Sequence, residues 1–415
     1  MDKQLSYIIL GGLLFFVLRY PHATTTPQIL KIGIVALAIL FVWTSISAIY
    51  TFPKLNNLSK SIYFLMIGIT LVMYVSRYLN DYSIWNIVIV RNLMSELMLI
   101  NLFTVCFVKN FWRKLKIVDY VLTLYVIINF FSLLLFPSGI IQDDYGYSVW
   151  FLGGKNMIIR TLIPAIIVNG MCTYHIVGHM TLKSLLLFLI CLLSIFLSGF
   201  SSTSFIVTLI MGLGLFYSVI NTSIKVVNPF TVLLTFIFLN VLIIFFNFQD
   251  SFSNYIERYF DKDSSLSGRV AIWEYVIYKI LNSPFIGYGY HTVEEWRDIL
   301  VYSIVDTAAH PHNYFLYIVL QGGLLVFVLF VLLFYMLSKC GKYYSNKNFY
   351  FFLTLMYIAF FIEGTTESIT SAPLMFPMLG LFVSCAESQR NIKKNQCNYS
   401  AISHVTLSSF RTNRV

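Results

Sequence analysis

The chain has 415 residues, of which 58% are hydrophobic, 17% aromatic and only 11% charged, with a formal net charge of +10 at pH 7. A soluble domain typically carries about 25% charged residues, so there is too little charge here to coat a water-soluble surface. Apolar runs of about 20 residues recur, the length that crosses about 30 Å of hydrocarbon, which excludes a soluble enzyme and predicts an all-α polytopic membrane protein.

In chain order, the first apolar run, Leu5 to Leu18, lacks a small-residue cleavage site and is expected to be a span, not a signal peptide. About twelve spans are predicted, at 4–19, 28–50, 61–76, 84–108, 117–137, 156–175, 182–198, 202–221, 227–248, 312–337, 349–363 and 372–388. They divide the chain into an N-terminal transmembrane region (1–248), one large loop (249–311), a C-terminal transmembrane region (312–388) and a polar tail (389–415). Alternate connections carry Lys54 and Lys60; Lys109, Arg113, Lys114 and Lys116; Lys183; Lys225; Lys339, Lys342 and Lys347; and Arg390, Lys393 and Lys394. With Lys3 on the same side, the positive-inside rule puts both termini in the cytoplasm and the large loop outside. The net charge then reads as that bias, with no nucleic-acid partner expected. Cys106, Cys172, Cys191, Cys340, Cys385 and Cys397 fall in spans or on the cytoplasmic side, so no disulfide is expected.

The loop from Gln249 to Pro311 holds nine acidic residues against five Lys and Arg. Connections this long in compact proteins are usually functional. Within it, "GRVAIWEYVIYKILNSP" predicts an amphipathic helix, with Val270, Trp273, Val276, Ile277, Ile280 and Leu281 on one stripe, Ser267 as its cap and Asn282-Ser283-Pro284 as its stop. It should lie on the outer membrane surface or against the bundle. "GYGYH", Gly287 to His291, supplies a turn.

"AAHPHNYFLYIVLQGGLL", Ala308 to Leu325, ends that loop with polar groups set directly against an apolar run. Pro311 suits the first position of a helix, which puts His312 and Asn313 in its first turn, where the dipole favours an anion and an uncharged imidazole able to accept a proton. The plainer alternative is an interfacial His with a capping role, and His310 is the weaker partner. Arg91 and Arg160 stand inside apolar runs, where a central Arg costs on the order of 3 kcal/mol and usually faces a partner or a cavity. Arg160 follows Asn156 by one helical turn and, with Lys155, could grip an anion; the alternatives are snorkelling for Arg160 and a polar partner in the bundle for Arg91. Arg269 begins the amphipathic helix and competes with a reading as a solvated charge. Glu363 and Glu367, spaced i and i+4, could act as acids or as partners for the arginines, against a reading as a solvated helix end. His175 and His179 share that spacing with no third ligand in view, so no metal site is expected there.

"SGRVAIW", "NSPFIGYGYH" and "HPHNYFLYIVLQGGLLVFVLF", in that order, resemble the signature region of the O-antigen polymerase and ligase family, Wzy-type membrane glycosyltransferases. The likeness is sharpest over Asp250 to Leu337 and looser over the span layout and "GGKN". The resemblance implies a GT-C-like membrane domain that transfers a glycan from undecaprenyl diphosphate to an acceptor sugar hydroxyl, with inversion and with no metal, cofactor or nucleotide sugar. It assigns His312 as base, with His310 and Asn313 beside it. It matches Arg269 to the family's loop arginine and makes Arg160 a diphosphate-binding candidate; the reading of the residues themselves adds Arg91 and Lys155 as diphosphate contacts, supported by Asn156, Glu363 and Glu367. Partners implied are a lipid-linked oligosaccharide donor and acceptor, the bilayer of the bacterial inner membrane, and a chain-length regulator protein. One departure stands out: relatives often carry a Ser-Arg pair after span seven, where this chain reads "LSGFSSTSF", Leu197 to Phe205.

The first reading is a polymerase of O-antigen, capsule or a related polysaccharide. It is favoured by Tyr255, Tyr259, Trp273, Tyr288, Tyr290, Trp296 and Tyr302, which could stack on sugar rings. A ligase that uses lipid A–core as acceptor is the alternative. A flippase or other transporter would be expected to show repeated halves and polar sites at the midplane, and neither is apparent in the sequence.

Overall fold

The computed structural model describes residues 3–18, 27–142, 146–220, 227–246, 269–300, 310–367 and 374–394. The helices are α1 (Lys3–Val17), α2 (Pro27–Thr51), α3 (Asn57–Leu79), α4 (Ile87–Ile100), α5 (Phe111–Leu135), α6 (Lys155–Val177), α7 (Leu182–Leu197), α8 (Ser202–Ile220) and α9 (Pro229–Phe246). Then follow α10 (Arg269–Asn282), α11 (Val293–Ile299), α12 (Tyr314–Cys340), α13 (Lys347–Thr366) and α14 (380–394). Among the described residues, eight helices are long and apolar enough to cross a membrane, and three more apolar helices are shorter: Gln4–Val17, Leu182–Leu197 and Ser202–Tyr217. A helix stands at each of the twelve predicted positions, and the chain is a mostly helical, multi-pass membrane protein. Ser267, Tyr255, Tyr259, Tyr302, Lys225, Cys397 and the segment beyond 394 lie outside the described residues.

Three elements depart from the sequence expectation. The span predicted at 84–108 is not one regular helix. After Ile100 it widens into a π turn, Asn101–Val105, and ends in a 3-10 turn, Cys106–Val108. Gly380 abuts this π turn so closely that a side-chain carbon on it would lie 2.3 Å from Thr104 Oγ1. The connection into α6 holds a small hairpin, with Ile141 opposite Val149 and Gln142 opposite Ser148. Its end is fixed by buried Trp150, whose indole donates to Phe136 O (2.8 Å), and by Leu152 N on Asn129 Oδ1 (2.9 Å), which together set where Lys155 and Asn156 begin their helix. The last helix also runs on through 394, past the expected start of the tail, because Gln389 accepts from Ser345 N (2.8 Å) and Ser345 Oγ (2.7 Å).

The main core joins α1–α9 and α12–α14. A second core forms where α10 and α11 meet α9 and α12, around Ile272, Trp273, Val276, Trp296 and Leu320. The helix α10 therefore packs on the bundle through Ile272, Trp273 and Val276, and Leu281, expected on the apolar stripe, is 69% exposed. The connections rich in Lys and Arg gather at one end of the molecule. There Trp112 stacks on His175 (3.8 Å between rings), Asn348 donates to Tyr174 Oη, and Asn56 N donates to Glu387 (2.8 Å). The histidine-asparagine cluster lies at the opposite end, where α6 and α12 begin and α9 and α13 finish.

Candidate active site

Glu367 is the centre of that opposite end. It closes α13, its N–H bonding Glu363 O at 3.0 Å, with only 6% of its side chain exposed. One carboxylate oxygen accepts from Arg269 Nη2 (2.8 Å) and Asn156 Nδ2 (2.9 Å), and the other faces His312 Nδ1 at 3.2 Å. Three distant segments, the starts of α6 and α10 and the entry to α12, thus converge on one side chain. Burial alone would raise the Glu367 pKa. The hydrogen bond and field of His312 and the charge of Arg269 outweigh burial and hold it down at about 2, so the group stays ionised although it caps the negative end of a helix.

His312 does not lie in the first turn of a helix. Its φ is +49°, in the left-handed region, and α12 starts two residues later, with Asn313 as N-cap. Asn313 Oδ1 accepts from Leu316 N (3.0 Å), so the capping bond, rather than Pro311 at the first helical position, sets the boundary. The Pro311 carbonyl instead accepts from Trp273 Nε1 at 2.9 Å. The Asn313 amide donates to Asn240 Oδ1 (2.7 Å) and to Thr365 O (3.1 Å), and the residue is fully buried. With both amide hydrogens and its oxygen engaged by protein, Asn313 pins α9, α12 and α13 together and is not placed to meet a substrate. The His312 side chain keeps 30% of its surface exposed.

The His310 ring sits 4.1 Å from that of His312. Burial above all, with the charges of Arg160 and Arg269, pushes its pKa down to about 3 against the pull of Glu367, so His310 is uncharged at neutral pH. Its Nδ1 is buried with no hydrogen-bond partner among the described residues. Arg160 is buried at 7% exposure, within electrostatic reach of His310. Lys155, the first residue of α6, is exposed, and its stem passes Gly199 in the "LSGFSS" turn. Glu363 is buried, with one oxygen accepting from Ser204 Oγ (3.2 Å) and the other without a hydrogen-bond partner among the described residues. So neither glutamate is the solvated helix end that competed with the site reading. Arg91, on α4, makes no hydrogen bond or ion pair with this cluster among the described residues, and the structure does not bring it to the site.

The sequence reading missed Asn240 and Ser204, the partners of Asn313 and Glu363. A single asparagine in "FIFLNVLIIFF" is a signal that could have been used, since polar side chains inside spans usually have a partner. It also missed Arg77, in "MYVSRYLND", which is 1% exposed and grips Glu295 through two nitrogens at 2.6 and 2.7 Å. The expected sugar platforms need correction too. Trp273 and Trp296 are 2% and 3% exposed in the second core, Tyr290 stacks on Tyr74, and the Tyr288 hydroxyl bonds Lys279 O at 3.2 Å, so burial and packing claim these rings.

The arrangement offers an ionised carboxylate that orients an accessible imidazole, with cationic side chains grouped around them. Comparison with known proteins agrees with the motif order. The O-antigen ligase family model matches residues 186–331, which hold Arg269, His310, His312 and Asn313. A protein of Rickettsia conorii named as a polysaccharide ligase is 28% identical over 123 residues, and the match spans 26% of this chain and 28% of that relative. By motif order and by the match over residues 186–331, this chain is similar to the O-antigen ligase and polymerase family of membrane proteins.

Proposed function

We propose that the protein transfers a glycan from undecaprenyl diphosphate to a sugar hydroxyl at the outer face of the bacterial inner membrane. A sugar diphosphate has a good leaving group, so the enzyme has two tasks: to stabilise the departing negative charge and to remove the acceptor's proton. The contact that carries this reading is Glu367 Oε2 to His312 Nδ1. With Nδ1–H donated to the carboxylate, Nε2 keeps its lone pair for the acceptor proton. The acceptor oxygen then attacks the anomeric carbon from the face opposite the diphosphate. The C–O bond to the carrier breaks with inversion, and undecaprenyl diphosphate leaves. Arg269, Arg160 and Lys155 would meet its phosphate oxygens, with arginine suited to bidentate contact in a site that is partly dry. Glu367, itself held by Asn156, keeps Arg269 in place, and Glu363 backs Glu367 from the preceding turn. No step calls on a metal or cofactor. In this reading the chain has twelve spans, with both termini in the cytoplasm and residues 249–311 on the outer side, so that the site would face the compartment where lipid-linked glycans are assembled and a chain-length regulator would dock in the same membrane.

The acceptor is either a second lipid-linked repeat unit, which makes the protein a polymerase, or lipid A–core, which makes it a ligase. Burial of Trp273 and Trp296 removes much of the argument for the polymerase, and the matching family model and the similar Rickettsia conorii protein both carry ligase names, so the two readings stand level. Species accumulating in a deletion strain decide between them. Core capped with a single unit marks a polymerase; bare core with polymer on its carrier marks a ligase; single units trapped inside mark a flippase and end this proposal. In the complemented strain, His312→Ala should abolish transfer while the protein still reaches the membrane, and normal glycan in that strain would remove His312 from the chemistry.

A further inference from the structure

The segment that follows α10, read from sequence as part of an aqueous loop, has its backbone paired as a membrane would require. Leu324 N and Leu325 N donate to the carbonyls of Pro284 (2.8 Å) and Phe285 (3.1 Å), and Ser76 Oγ donates to Ile286 O (2.6 Å). Asn80 Nδ2 takes Gly287 O (2.9 Å), and Tyr288 N and Gly289 N donate to Leu320 O (2.9 Å) and Gln321 O (2.7 Å). Tyr290 N reaches Met73 O (3.3 Å), and Arg77 takes Tyr290 O (2.9 Å). These bonds exist because α12 is broken at Gly323, where φ 59° and ψ −161° leave the helix and free its carbonyls and N–H groups for the incoming strand. A side-chain carbon on Gly323 would lie 2.4 Å from the Phe285 carbonyl carbon. Irregular backbone is tolerated at membrane depth only where protein satisfies its polar groups in this way.

Two helices measure the depth of the tip. From Lys339, at the basic end, to Leu324 is about 22 Å at 1.5 Å per residue, and from Lys60 to Met73 is about 20 Å. Both fall short of a hydrocarbon core about 30 Å thick by roughly 8–10 Å. On the outward side of the same segment, Tyr278, Leu281 and Phe285 are 57%, 69% and 70% exposed, beside Leu324 and Leu325 at 50% and 45%. In water these would form an apolar patch with no reason to exist; in lipid they are an ordinary protein surface.

We propose that residues 278–290 form a re-entrant segment whose Tyr278, Leu281 and Phe285 rest against the hydrocarbon chains of the outer leaflet. Trp273 of α10 fastens the helix to Pro311 near the site, and the segment fastens its far end, through Pro284 and Phe285, to the break in α12. It thereby sets the position of Arg269 without touching it. The membrane placement rests on the multi-pass architecture and not on the glycan-transfer reading.

The test uses the full chain carrying Cys397→Ser, in which the other five cysteines are buried, with a nitroxide attached at Phe285→Cys or, as an aqueous reference, at Glu294→Cys on the exposed side of α11. Each is reconstituted in liposomes without substrate. Collision with oxygen, which concentrates in hydrocarbon, is compared with collision with a water-soluble nickel chelate. The oxygen-to-nickel ratio should be several-fold higher at 285 than at 294. Equal ratios would place the tip in water and overturn the proposal. Leu281→Cys, one turn earlier and equally exposed, replaces Phe285→Cys if that chain fails to insert. No substrate or turnover enters the measurement, so a failed glycan-transfer assay leaves its result unaffected.

Discussion

At Glu367 a single carboxylate serves two neighbours with different needs. Arg269 needs a counter-charge that holds its guanidinium in one place, and His312 needs an acceptor that fixes which ring nitrogen carries the proton. Glu367→Gln keeps the shape and an acceptor oxygen but removes the charge, so both services weaken together. The turnover rate in a reconstituted transfer assay should fall by about 100-fold, in the range expected for a general base that has lost its orientation. Arg269→Lys retains the charge and loses the planar fork, so its main effect should be a rise of about tenfold in KM for the lipid-linked donor, with a smaller change in kcat. If Arg269→Lys lowered kcat alone, Arg269 would belong with the imidazole and not with the phosphates. His312 itself was legible from its place at the junction of a polar loop and an apolar run. Its left-handed φ was not, because the sequence offers Pro311 as an equally good helix start and the Asn313 capping bond to Leu316 N, with the amide held by Asn240 and Thr365, decides against it.

At the level of elements, α10 and α11 are held by two locks of opposite chemistry. One is steric. Gly323 has a left-handed backbone with Phe285 packed where a side chain would be, so Gly323→Ala must both strain the chain and expel the tip. Strain of this kind is worth on the order of 1–3 kcal/mol before any packing loss. The thermal midpoint of the purified protein should fall by several degrees, with transfer activity lost in step. The other lock is ionic. Glu295 is bonded to buried Arg77, and that hydrogen bond, opposed by burial, holds its pKa at about 2 against an ordinary value of 4.5. A carboxylate depressed in the folded state contributes stability that is fully present above its unfolded value. That stability is lost as pH falls from about 4.5 towards 2. Thermal midpoints measured across that window should drop, and Glu295→Gln should flatten the drop. The same variant should be less stable at pH 7 by on the order of 3 kcal/mol, since Arg77 is left buried without its counter-charge. Neither lock was legible in sequence. "QGGLL" and "GYGYH" announce unusual backbone, but their meeting depends on contacts between residues far apart in the chain.

Across the whole molecule, the helical layout was the most legible part, because hydrophobic length is a local property that each segment carries by itself. Convergence at Glu367 was half legible: Arg160 stood out in an apolar run, Arg269 at the start of the amphipathic helix, His312 at the junction of loop and span and Glu367 by its spacing from Glu363, whereas Arg91, chosen by the same rule as Arg160, stays on α4 away from them. The aromatic residues misled because tyrosine and tryptophan at a membrane edge look alike in sequence whether they pack inward, as Trp273 and Trp296 do, or face a ligand. The proposed orientation rests on charge alone. The connections bearing Lys109, Lys114, Lys116, Lys183, Lys339, Lys342 and Lys347 share one end of the bundle, and the imidazole cluster occupies the other. By the positive-inside rule we propose that the basic end faces the cytoplasm. Two reporter positions test this, one at Ser345 among the basic connections and one at Glu294 on α11. In intact cells with a permeabilised outer envelope, a membrane-impermeant thiol reagent should label Glu294→Cys and spare Ser345→Cys until the inner membrane is opened. The reverse pattern would put His312 and Glu367 on the cytoplasmic side. A polyprenyl-linked glycan awaiting transfer outside could not reach them there, and the proposed chemistry would fail with the topology.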